Sequence, residues 1–259
     1  MTISFRRFVG FVVVAVLLFI GAFAMTAYAS HSWGPYHWAR TANPFTLKLG
    51  DNVSTVWDTH LSTASTDWSI SSVLDTLVVA GGSKRNCGPV KGRVEICNKT
   101  YGNNGWLGVA SIWINGSHIT QGTVKLNDTY FNTASYNTPA WRQFVMCQEI
   151  GHTFGLDHQD VNFYNTNLGT CMDYTNSPES NQHPNQHDYD ELGLIYTHLD
   201  GSTTVTRSRG ESSNGHAIDE EVTDDTDKVL RKDSKGRPAL YERNLGKGEK
   251  LFTFIFWTE

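Results

Sequence analysis

The chain has 259 residues, 39% of them hydrophobic, with eight Trp and ten Tyr, enough to bury a large globular core as one domain or as a domain with an appendage. Its formal net charge of -5 excludes a general nucleic-acid binder, which needs a basic face, and no polyanionic partner is indicated.

In chain order, residues 1–29 read first, as an export signal. Arg6 and Arg7 supply a positive start, Phe8 to Met25 is an uncharged apolar run, and Ala27-Tyr28-Ala29 offers small residues for cleavage. The rival reading is an uncleaved membrane anchor, because the run is just long enough to cross a bilayer as a helix. The Ala-x-Ala site favours cleavage, so a secreted protein is expected, with membrane attachment only if the segment is retained.

Next, Phe45, Leu47 and Leu49 alternate with polar residues, as in a strand with one buried face. From Asn52 the apolar positions Val53, Trp57, Leu61 and Ala64 recur at helical spacing, with Asn52 or Ser54 available as an N-cap. Val73 to Ala80 is a short β-branched run ended by Gly81-Gly82, hence a strand. A Gly-containing loop between Cys87 and Cys97 follows. Val109 to Ile114 and Thr123 to Leu126 are two further strands, separated by the turn signal Asn115-Gly116-Ser117. Asn137-Thr138-Pro139 opens a helix that should end at Gly155, where glycine can take a left-handed conformation. A last helix is expected over Asp188 to Leu199, with Tyr189, Leu192, Ile195 and Leu199 on one face and Asp188 and Glu191 as a capping pair. Strands followed by helices make an α+β domain over 30–200. Composition changes after Asp200: 201–228 is polar and acidic, a linker, and 229–259 turns apolar again, a small β-rich appendage of two or three strands.

The chemistry is carried by Cys147-Gln148-Glu149-Ile150-Gly151-His152-Thr153-Phe154-Gly155-Leu156-Asp157-His158. On a helix, Gln148 and His152 share a face one turn apart, the geometry by which two side chains approach one metal ion, and Glu149 sits beside them. A bend at Gly155 lets His158 return to the same point. Two imidazoles and a carboxylate are thereby expected to converge.

This segment resembles the HExxHxxGxxH signature of the metzincin zinc peptidases, closest to the matrixin branch, in a QExxHxxGxxH variant. Met172, in Cys171-Met172-Asp173-Tyr174, resembles the clan's Met-turn. The resemblance implies a zincin-like fold: a mixed twisted sheet with an active-site helix, a Met-turn and a C-terminal helix. It also implies a zinc endopeptidase acting on proteins or peptides, with His152 and His158 as zinc ligands and Glu149 as general base. Met172 would floor the metal pocket, and Tyr174 would serve as an extra ligand or transition-state donor. Lowering a water's pKa from about 15.7 to about 7 corresponds to roughly 12 kcal/mol in generating hydroxide, which no unaided carboxylate supplies.

The departure is Gln148, where the family has its first histidine. Three arrangements stay open: Gln148 ligates through its oxygen; Tyr174, His183 or His187 completes the shell; or the site holds no metal. The alternative function is accordingly a catalytically impaired relative that keeps the cleft to bind a peptide or protein partner. A monomer is expected. An even count of four cysteines in an exported chain suggests disulfides, with three connectivities allowed. Cys87 with Cys97 and Cys147 with Cys171 is favoured, because the first closes a short loop and the second joins the helix to the methionine segment. On the chain-entropy account the second bond contributes about 3.5 kcal/mol.

Overall fold

Strands that alternate between core and solvent stand beside strands buried on both faces, and their pairing order decides where the functional residues lie. The computed structural model describes residues 30–82, 86–205, 223 and 225–259; the export signal and most of the linker fall outside these residues. His31–Glu259 form one compact unit of mixed α and β structure.

Strand β1 (His37–Trp38) is short, and β2 (Phe45–Asn52) carries the expected alternation, with Phe45, Leu47 and Leu49 buried. Helix α1 (Thr55–Trp68) buries Trp57, Leu61, Ala64 and Trp68 along one face. Ser54 stands at its N-cap without a side-chain cap bond, its hydroxyl being taken by Asn98 Nδ2 at 3.0 Å. The chain then forms β3 (Leu74–Ala80), β4 (Val94–Lys99), β5 (Trp106–Asn115) and β6 (His118–Asn127). Strand β4 was not expected, the sequence offering only a loop between Cys87 and Cys97 there. Val94, Glu95, Ile96 and Cys97 are all buried, and a strand covered on both faces has no alternation to read. Strands β2, β3, β4 and β6 pair in parallel, and α1 supplies the crossover that joins β2 to β3.

After α2 (Asp128–Phe131), helix α3 (Pro139–His152) begins as expected: Pro139 is its first residue, and the Thr138 side chain accepts from Trp141 N. Every residue from Trp141 to His152 is buried, so α3 is a core helix. Helix α4 spans Gln186–Ile195, not Asp188 to Leu199. The cap is Asn185, in a reciprocal capping box with Asp188, so Glu191 is not part of the pair. Leu199 lies 55% exposed beyond the helix end.

The C-terminal segment also differs from expectation. Strands β7 (Lys228–Lys232), β8 (Pro238–Gly246) and β9 (Glu249–Trp257) do not stand apart as an appendage but continue the sheet, in the order β3-β2-β4-β6-β5-β9-β8-β7, with β1 beside β6. Strand β9 pairs antiparallel with β5 along nearly its whole length. Phe252, Phe254 and Phe256 enter the main core from one face, and Ile255 packs with Trp106 and Val109 on the other. Alternation marks such a segment as a strand and says nothing of the surface that receives it. Among the described residues no helix is long and apolar enough to cross a membrane.

Candidate metal centre

Helix α3 ends where its free carbonyls find donors from the N-terminal segment: Trp33 Nε1 donates to His152 O at 3.0 Å, and Trp38 Nε1 to Thr153 O at 2.9 Å. Gly155 then adopts φ +105°, and a Cβ there would lie 2.7 Å from Tyr36 O, so only glycine fits this bend. The bend returns His158 to His152, placing their Nε2 atoms 3.0 Å apart with the rings nearly perpendicular.

His152 Nδ1–H donates to Leu156 O at 2.9 Å, which leaves the lone pair of the neutral ring on Nε2, facing His158. Burial holds His152 well below the ordinary histidine value, and the neighbouring His158 adds to this. His158 is lowered too, by burial first, against the pull of Asp157, whose Oδ1 lies 3.5 Å from His158 Nδ1. Burial by itself would raise Asp157, yet His158 and Arg231 of β7 outweigh it and keep that carboxyl well below the usual carboxylate range.

The remaining predicted residues gather near this pair. Gln148, one turn before His152, is fully buried, and neither its amide oxygen nor its nitrogen has a hydrogen-bond partner. Glu149 is fully buried as well, under β5 at Gly108, where a Cβ would come within 2.6 Å of its Oε1. Neither of its oxygens makes a hydrogen bond of normal geometry; burial raises its pKa well above the ordinary value, and the nearby Ala110 amide offsets only part of that. Tyr174 packs its ring 4.2 Å from that of His158, and its buried hydroxyl is without a partner. Burial, reinforced by the Glu149 charge, pushes that hydroxyl well above its usual range. Met172 is buried against α3 at Gly151, and the disulfide Cys147–Cys171 ties its turn to the helix. The second disulfide joins Cys87 to Cys97.

Orphaned buried polar atoms each cost about 1–3 kcal/mol, so Gln148, Glu149 and Tyr174 together form an environment that a cation suits. His152 and His158 offer two nitrogen donors of the kind zinc takes, and the unpartnered Gln148 oxygen and Tyr174 hydroxyl are the candidates for the rest of a shell. The two further histidines expected as candidates do not join it: His183 pairs with Asp67 at 2.7 Å on the surface, and His187 stacks on His31.

The pocket is roofed by the chain itself. Phe254 of β9 stacks on His152 with ring centroids 4.1 Å apart and an angle of 12°, and Phe256 lies 5.1 Å from Tyr174. A second potential cation group was not foreseen from the sequence: His37, His118 and Asp200 each bring a ligand atom within 4.8 Å of the others. These residues come from distant parts of the chain, so no local spacing announces them.

No known protein family matches the sequence, and no curated protein does. Among solved structures, the chain is similar to high choriolytic enzyme 1, a hatching enzyme zinc-protease from Oryzias latipes (Medaka fish), with 11% sequence identity and a TM-score of 0.35, over 67% of this chain and 98% of that chain.

Proposed function

We propose that the chain is a secreted zinc-dependent endopeptidase of metzincin type, held latent by its own C-terminal strand. The carrying observation is the 3.0 Å approach of His152 Nε2 and His158 Nε2 beside the buried, unpartnered amide of Gln148. In this reading His152, His158 and the Gln148 oxygen hold the ion above the Met-turn at Met172. The export signal in residues 1–29 and the two disulfides support an extracellular setting.

A bound zinc ion supplies a water acidic enough to be deprotonated near neutral pH. Glu149, its side chain confined between α3 and Gly108, would take the proton of that water and pass it to the departing amine. Tyr174 donates a hydrogen bond to the oxygen on which negative charge develops. The phenyl rings of β9 keep bulk water from the histidines. An extended peptide would add to the edge of β5, which passes over Glu149, by antiparallel pairing; β9 now makes that pairing. Turnover therefore requires β9 to move off β5.

The seating of Phe254 on His152 favours a second reading, a non-catalytic relative whose cleft binds a peptide strand, here its own. Metal analysis and peptide-library digestion of wild type, Gln148→His and Glu149→Gln, each with β9 displaced from β5, separate the two. The enzyme reading expects cleavage in the wild type or Gln148→His that Glu149→Gln removes; zinc in all three with no cleavage in any assigns the binding role.

A further inference from the structure

We infer that His37, His118, His198 and Asp200 form a separate, closed zinc site that fastens the N-terminal segment to the end of α4. His37 on β1 and His118 at the start of β6 are register partners across the β1–β6 pair. His198 and Asp200 lie on the segment that leaves α4. Arg40 holds this segment in place: its backbone N and Nη1 donate to Asp200 Oδ2 at 3.1 and 3.0 Å, and its other terminal nitrogen donates to His198 O. With Oδ2 so occupied, Asp200 turns Oδ1 toward the imidazoles.

His37, His118 and Asp200 bring ligand atoms mutually within 4.8 Å, and His198 joins them on the side of His37 and Asp200. Asp200 Oδ1 lies 3.3 Å from His37 Nε2, 3.2 Å from His118 Nε2 and 3.7 Å from His198 Nε2, and the His37 and His198 Nε2 atoms are 3.1 Å apart. A tetrahedral zinc ion bound at about 2.0–2.1 Å separates its ligands by roughly 3.3–3.4 Å. Donor polarity agrees. His37 Nδ1 lies 3.0 Å from Pro35 O, which can only accept, so Nδ1 carries the hydrogen and Nε2 of the neutral ring presents a lone pair. That lone pair faces a carboxylate oxygen and another imidazole nitrogen, and a divalent cation placed among them accepts all three donors at once. A carbonyl behind the histidine and an arginine behind the carboxylate are the outer contacts that fix ligands on a metal.

With His198 as fourth ligand, three nitrogens and one oxygen would close a four-coordinate shell with no position left for substrate, which makes the site structural. Its mechanical effect reaches α3, because Trp38, next to His37, donates to Thr153 O at the helix end. It is independent of the His152–His158 centre, and neither needs the other to be right.

The test titrates the full chain with Zn2+ in chelator competition and follows Tm with and without EDTA. His198→Ala suits this purpose because the side chain is 57% exposed and carries no core packing. Asp200→Asn and His152→Ala are run beside it, and Co2+ substitution reads coordination by its visible absorption. The expected result is loss of one zinc equivalent, or an affinity at least about 100-fold weaker, in His198→Ala and Asp200→Asn. The EDTA-induced fall in Tm should shrink in both, while His152→Ala keeps a tetrahedral Co2+ spectrum. Wild-type zinc stoichiometry, affinity and EDTA response in His198→Ala would overturn the site, whatever His152→Ala does. Loss of zinc in His152→Ala alone would leave the first centre standing and remove this one.

Discussion

The two histidine groups are built by opposite routes. His152 and His158 are joined by one helical turn and one glycine bend, lie sealed under Phe254, and leave the Gln148, Glu149 and Tyr174 polar atoms without partners. His37, His118, His198 and Asp200 are brought together by strand pairing and by a segment folding back from α4, at a surface where His198 is 57% exposed and Arg40 already satisfies one carboxylate oxygen. Groups near the surface that already hold partners tolerate an empty site. Buried orphan atoms are costly without an ion, and a chain keeps them where chemistry needs them.

Glu149→Gln probes that contrast with the largest expected effect. Peptide hydrolysis, measured after β9 is displaced on the wild-type or Gln148→His background, should fall by about 10²–10⁴-fold while zinc content is retained. Phe254→Ala tests the seal: removing a buried aromatic ring should cost about 3–5 kcal/mol in urea unfolding and make His152 reactive toward an imidazole-modifying reagent, with His198 reactivity unchanged. Unchanged reactivity of His152 would mean that β9 is not what closes the pocket. Gln148→His should tighten zinc at the buried pair by about 10–100-fold in chelator competition and leave the His198-dependent equivalent untouched. Smallest of all, His183→Ala should change stability by less than about 0.5 kcal/mol and neither zinc equivalent, since that ring is exposed and bonded to Asp67.

Legibility in the sequence followed locality. Strand β2, helix α1, strands β3, β5 and β6 and the start of α3 carried periodic apolar positions or caps within a few residues, and they appear close to where those signals put them. The approach of His158 to His152 was readable for the same reason, as a helical spacing followed by a glycine. Strand β4 was not, because burial on both faces erases alternation, and the end of α4 was misplaced because Leu199 continued an apolar period that the fold does not bury.

By itself, then, the sequence determined the local elements and the placing of Gln148, Glu149, His152 and His158 on a helix and its bend, since these depend on backbone geometry over a dozen residues or fewer. Only the tertiary structure decided that β9 lies on β5 with Phe254 against His152, and that His37 meets His118, His198 and Asp200. Those contacts join segments far apart in the chain. Their partners are selected by which strand edge and which buried face remain to be covered once the rest has packed, a choice that no short window of residues records.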